Sequence, residues 1–280
     1  MADITAAAVK SLRDKTQLPM MECKRALAET GGDEQAAIEL LRKQGHTKMM
    51  GRSDRSTDEG RIANYVSLEE GVGAMIELQC ESASVVGHED FVQLANDLAT
   101  QLAKGPGAET AETLLSQTSP SQDGTLQQQW DGLTNTMREV FRLTRLVRVD
   151  GPCGGYVHHD GKIGVVLQVE GGNAEVAKDI SMHVAAMKPQ VLTIEELDPA
   201  VVEKERTFLS EQARKEGKPE NIIEKMVEGR MRNFYAGLVL LQQPFIKEDK
   251  QTVGKIAKAA DMKIVRMVSW QLGKGQLGKD

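Results

Sequence analysis

The side chains able to do chemistry are few and scattered. Five histidines (His46, His88, His158, His159, His183) and three cysteines (Cys23, Cys80, Cys153) are the candidate bases, nucleophiles and soft metal ligands of a 280-residue chain. No histidine stands in an HExxH frame, no serine in GxSxG, and no cysteine has a metal-site partner at the right spacing. His158-His159 falls in a predicted hairpin turn, where exposed polar residues are ordinary. Glycine-rich Gly273–Asp280 is the string nearest a phosphate-binding loop, but it lacks the Ser/Thr that would hold magnesium and no helix follows it. The expectation is a protein with no catalytic residues, no metal and no cofactor, whose work is binding.

Bulk properties narrow what it binds. A net charge of −6 and a pI near 5.6 argue against nucleic acid or an anionic membrane as the main partner. Aromatic residues make up only 4%, too few for base-stacking platforms. No window approaches a membrane span, and MADITAAAVK lacks a signal-peptide pattern. Three widely spaced cysteines read as reduced thiols, so a cytoplasmic, soluble protein is expected.

The elements that must carry a binding surface begin with a helical module over residues 1–50. Thr5 caps a helix with Val9 and Leu12 on one face, and Pro19 starts a second with Met20, Cys23 and Leu27 on one face and Met21 and Lys24 beside it. Gly31-Gly32 ends that helix, and Asp33 caps a third, which carries Ala37, Ile38 and Leu41 and is expected to end at Gly45. Polar, aperiodic residues 51–60 then read as a linker, with Arg52 able to reach an acidic surface.

Beyond the linker the sequence repeats itself. Tyr65-Val66 matches Tyr156-Val157, and Val72–Ile76 matches Ile163–Leu167, both at an offset of 91 residues. Each pair of strands is followed by a helical pattern, Phe91–Ala103 in one copy and Ala174–Met187 in the other. We read an α+β chain: a small N-terminal three-helix domain, then a duplicated α+β core with an inserted antiparallel helical hairpin. Core half 1 spans 61–149, half 2 spans 150–196 and 229–280, and the hairpin spans 197–228 around Gly217-Lys218-Pro219. Leu126–Val149 is predicted as one helix, on which Arg138, Arg142, Arg145 and Arg148 form a basic stripe; a solvated or ion-paired face accounts for it better than RNA binding. Leu238–Leu241 reads as strand.

Several stretches together resemble bacterial elongation factor Ts: LRDKT at Leu12–Thr16, MMECKRAL at Met20–Leu27, ISMHVAAMKP at Ile180–Pro189, KMVEGRM at Lys225–Met231, and QPF at Gln243–Phe245. The resemblance runs in order over essentially the whole chain. It implies a ubiquitin-associated-like N-terminal domain and a guanine-nucleotide exchange factor that binds elongation factor Tu in its GDP form and promotes GDP release by distorting the magnesium and phosphate site. It also implies which residues meet that partner: Met20, Met21, Lys24 and Arg52 as anchors, the loop Ser82, Ala83, Ser84 and Val85, then Ile163, Gly164 and His183 near the nucleotide. A homodimer or a heterotetramer with the GTPase stays open, as does a docking role for the hairpin.

One stretch departs from the family pattern. After the cysteine matching Cys80 the family usually has Thr-Asp-Phe-Val; here Ser82-Ala83-Ser84-Val85 stands in its place. Ala83 and Ser84 offer neither a carboxylate nor an aromatic wedge. Two readings follow: exchange carried by the His183 helix instead, or a stabilising partner of the GTPase with weak exchange activity.

Overall fold

The computed structural model describes residues 4–16, 18–50, 54–217 and 219–274. In chain order the elements are α1 (Ala6–Thr16), α2 (Met20–Glu29), α3 (Glu34–Met50), β1 (Glu59–Ser67), β2 (Val72–Cys80), α4 (Ala83–Val86), α5 (Glu89–Lys104), α6 (Ala111–Leu115), α7 (Leu126–Met137), β3 (Arg142–Asp150), β4 (Cys153–Val157), β5 (Ile163–Gly171), α8 (Ala174–Met187), α9 (Pro199–Lys215), α10 (Glu220–Leu238), β6 (Pro244–Phe245), β7 (Glu248–Thr252), α11 (Val253–Ala259) and β8 (Met262–Gln271). The class is α+β.

The repeat seen in the sequence is also a repeat of topology. One sheet has the order β1-β2-β3 and the other β4-β5-β8. In each, a hairpin is followed by a long helix, and a later strand pairs with the hairpin's second strand. Compact packing does not follow the two copies, however. One unit comprises Met1–Ala63 and Ile76–Arg148, the other Asn64–Met75 and Val149–Asp280.

In the first unit α1, α2 and α3 close a small core of Val9, Leu12, Leu18, Cys23, Ala26, Leu27, Ala37 and Leu41. Gly45 does not end α3, which runs on to Met50. Its hydrogen side chain instead allows a close approach to α7, since a Cβ there would fall 1.7 Å from the Asn135 carboxamide oxygen. α5 buries Phe91, Leu94, Leu98 and Leu102, and Phe141 packs edge-on against Phe91 and Trp130.

The predicted single helix over Leu126–Val149 is two elements. α7 begins at a Thr125/Gln128 capping box and stops at Arg138, which takes a left-handed conformation with φ +60°. Residues from Arg142 onward are strand β3, so the arginines do not form a helical stripe. Arg145 pairs with the buried carboxylate of Glu77, which also accepts from Thr144 and Gln79, and Arg148 donates to the Gly105 carbonyl at 2.7 Å.

In the second unit β5 is central. Val165, Leu167 and Val169 on one face pack with Ala177, Ile180 and Val184 of α8. Gly154 makes that approach feasible, because a Cβ there would meet the Cβ of Ala177 at 2.4 Å. Against the other face lies the tip of the β1–β2 hairpin, where Asn64 donates to the Val165 carbonyl at 3.3 Å and Gly73 sits against Cys153. The helical hairpin α9–α10 has its own core of Leu209, Ala213, Ile223, Val227 and Met231. Its second helix extends to Leu238, and Leu240–Gln242 is a 3-10 turn, so Leu238–Leu241 is not a strand. Backbone bonds from Gln190 to Leu238 and from Leu240 to Val191 root it, at 2.8 and 2.9 Å.

Candidate functional site

Helix α2 places its side chains by simple periodicity. Cys23, Ala26 and Leu27 fill the module core, which turns the adjacent positions outward. Met20 is 48% and Met21 74% exposed, and Lys24 is exposed beside them. Two large, adaptable apolar side chains thus stand in water next to a cation. Glu22 on the same helix accepts from Arg138 at 3.4 Å, a partly exposed pair that orients more than it stabilises. Arg52 lies outside the described residues.

The residue following Arg138 holds the second candidate patch. Glu139 accepts the backbone N–H of Ser82 at 3.1 Å with one oxygen and the Ser82 hydroxyl with the other. Glu81 returns the arrangement by accepting the Val140 N–H at 2.8 Å, and Arg55 sits on its other oxygen at 2.9 Å. Two carboxylates thus grip two backbone amides across neighbouring segments. The grip fixes where α4 starts. Within α4, Val85 is buried, while Ala83 and Ser84 are exposed. Ser84 shares a 3.1 Å hydrogen bond with Ser82. The Cys80 thiol beneath this loop has its pKa pushed up to about 12, first by burial and then by Glu139, so it is an inert packing group.

In the second unit Ile163 opens β5 and packs partly buried against the α8 core, and Gly164 beside it is buried, paired with Val157 and Trp270. His183 does not present its ring to solvent: it is 0% exposed. Its Nδ1 accepts the Ile246 N–H at 3.2 Å, and its Nε2 lies 2.9 Å from the Gln243 side-chain oxygen. One nitrogen accepts and the other donates, which is the neutral tautomer with the proton on Nε2. Burial lowers its pKa below the ordinary histidine value, against a smaller upward pull from Gln243. The exposed groups at this corner are instead Met187 (44%) and Ile246 (54%). Met187 lies at the last turn of α8, where the helix's buried face runs out.

A family model described as "Elongation factor TS" matches residues 84–274. Over almost their full lengths, curated proteins named elongation factor Ts align with this chain. That of Methylococcus capsulatus is 42% identical over 275 residues, covering 97% of this chain and 93% of the relative. The protein from Azoarcus is 40% identical over 279 residues (98% and 92%), and that from Alkalilimnicola ehrlichii 40% over 280 residues (99% and 94%). The chain belongs to the elongation factor Ts family.

Within this member of the elongation factor Ts family, α2 and the Ser82–Val85 loop are tied to one turn, since Glu22 pairs with Arg138 and Ser82 with Glu139. That link joins positions some sixty residues apart or more and has no sequence motif. Gln243, Met187 and Ile246 around His183 are the residues a reading of the helix alone overlooks; the QPF stretch was the available signal for the first. No group of His, Cys, Asp or Glu suited to a metal occurs among the described residues, and no described helix is long and apolar enough to cross a membrane. On the hairpin, Val201, Phe208 and Ile222 stay exposed outside its own core.

Proposed function

We propose that this protein is a guanine-nucleotide exchange factor that binds elongation factor Tu and accelerates release of GDP. The observation that carries the reading is the near-full-length identity of about 40% to proteins named elongation factor Ts. Exposed Met20, Met21 and Lys24 support it as an anchor, because two large apolar side chains stand in solvent beside a cation. Exchange by such a factor is a matter of linkage and not of covalent chemistry. If it binds the nucleotide-free GTPase more tightly than the GDP form by some factor, it weakens GDP by the same factor.

The Ser82–Val85 loop of the first unit is then one contact near the partner's nucleotide and the His183 corner of the second unit another, with Ile163 and Gly164 packed beneath the latter's surface. His183 acts there as a positioning residue: it holds the backbone of Ile246 and, through Gln243, the end of α8, while Met187 and Ile246 make the contact. A second reading, a stabilising partner with weak exchange, is favoured by the small exposed pair Ala83-Ser84. Release of a fluorescent GDP from the cognate GTPase, with this protein titrated in excess unlabelled nucleotide, separates the two. Strong concentration-dependent acceleration supports exchange; tight binding without acceleration overturns it in favour of the stabilising role.

A further inference from the structure

At the end of the Ser82–Val86 segment lies an arginine that the sequence reading did not single out. Arg61 on β1 donates through Nη1 to the Val86 carbonyl at 3.0 Å. Its Nε–H is buried and has no hydrogen-bond partner. Burial lowers the guanidinium's pKa, and nothing opposes that shift. The group stays cationic at any physiological pH.

Its surroundings sharpen the contrast. Glu81 is occupied by Arg55 and the Val140 amide, Glu139 by Ser82, Glu77 by Arg145, and Glu22 by Arg138. Each of these acids of the same unit has its cation or amide, and no carboxylate acts on the Arg61 guanidinium. Among the described residues Arg61 alone of this set lacks a carboxylate. A half-buried arginine with one of its five donors used by a neutral carbonyl carries an uncompensated desolvation penalty. Such a group becomes favourable when an acid arrives, and the planar fork of arginine suits a carboxylate held by two parallel hydrogen bonds.

We infer that Arg61, at the edge of the Ser82–Val86 loop, is a docking point for an aspartate or glutamate side chain of the partner protein. The inference rests on the exchange-factor reading for the identity of that partner, the GTPase. It supplies this loop with a charged contact where Ala83 and Ser84 supply none. The loop's own acids cannot take that role, because they are held by backbone amides.

The test is affinity for the GTPase, both nucleotide-free and GDP-bound, measured by titration calorimetry at several salt concentrations for the wild type, Arg61→Met and Arg61→Lys. Removing the charge should weaken binding by at least about 30-fold, as for a desolvated ion pair, and flatten the salt dependence. Arg61→Lys should recover part of the loss. A merely structural role as a cap on Val86 would lower the melting temperature without changing the salt dependence, and that outcome overturns the proposal. Unchanged affinity for Arg61→Met does so as well. A loss confined to complexes that contain GDP would assign the anion to the nucleotide's phosphates and overturn the carboxylate. Failure of the wild type to release GDP while these affinity effects persist would sink the exchange reading alone.

Discussion

Ser82 and Glu139 meet through both oxygens of one carboxylate, which takes the serine's backbone N–H at 3.1 Å and its hydroxyl together. The relationship matters because Ser82 precedes α4, whose exposed residues Ala83 and Ser84 belong to the loop proposed above to face the partner, while Glu139 follows the left-handed residue Arg138 that ties to α2. A single turn after α7 therefore sets the position of two surfaces.

Glu139→Ala should loosen that setting. It removes a charge-assisted grip on a backbone amide, and a net loss of about 1.5–3 kcal/mol is expected for hydrogen bonds to a charged group. Glu139→Gln keeps one acceptor and should lose less. Urea unfolding gives the magnitude, and hydrogen exchange at the Ser82 amide gives the place. Unchanged exchange at Ser82 in the alanine variant would contradict the clasp.

A change in the opposite direction is expected at Ser269. It lies opposite Val165 in the β5–β8 pairing and is fully buried, and its hydroxyl has no hydrogen-bond partner. A buried hydroxyl without a partner costs free energy that an apolar replacement recovers. Ser269→Ala should stabilise the protein by about 1 kcal/mol in urea titration. Destabilisation would mean that the hydroxyl has found a water.

How much of this was legible in the sequence depends on which force decides each element. The duplication was legible because a pair of strands recurs at one spacing, with a helical pattern after each copy, and it reappears as β1-β2-β3 and β4-β5-β8. α2 was legible because Cys23, Ala26 and Leu27 fall on one helical face. The end of α7 was not: the left-handed turn is made by an arginine, without the glycine that usually marks one, and the arginines that follow keep a three-residue spacing inside a strand. Gly45 looked like a helix stop and is a contact glycine, a distinction that only the Asn135 side chain makes. His183 hides for a similar reason. Its partners Gln243 and Ile246 lie about sixty residues away, and nothing on its own helix announces them.

The methionine surface of α2 separates folding from function. Met20 and Met21 are 48% and 74% exposed, so changing both to alanine should shift stability by no more than about 0.5 kcal/mol per site. If they anchor the GTPase, the same double variant should weaken its binding at least tenfold, on the order of a single good apolar anchor. Calorimetric affinity and a thermal melt on one preparation check both halves. Loss of stability with intact affinity would return the methionines to the module core.

Acid sensitivity should come in part from His183. In the unfolded chain its imidazole takes up a proton near the ordinary value of 6.5; in the fold, burial lowers that pKa, and Nδ1 is already accepting the Ile246 N–H. The unfolded state therefore binds more protons in this window. The histidine's contribution to stability is fully present above pH 6.5 and is lost progressively as pH falls from there toward the lower folded pKa. His183→Gln removes the titration, so the difference between wild type and variant isolates it from the carboxylates. The wild-type urea midpoint should fall more steeply than the variant's between pH 7 and about 5, and the Ile246 amide should exchange faster over the same range. Parallel midpoints would show that the imidazole is not held neutral by Gln243 and Ile246, and the positioning role at the Met187–Ile246 corner would go with it.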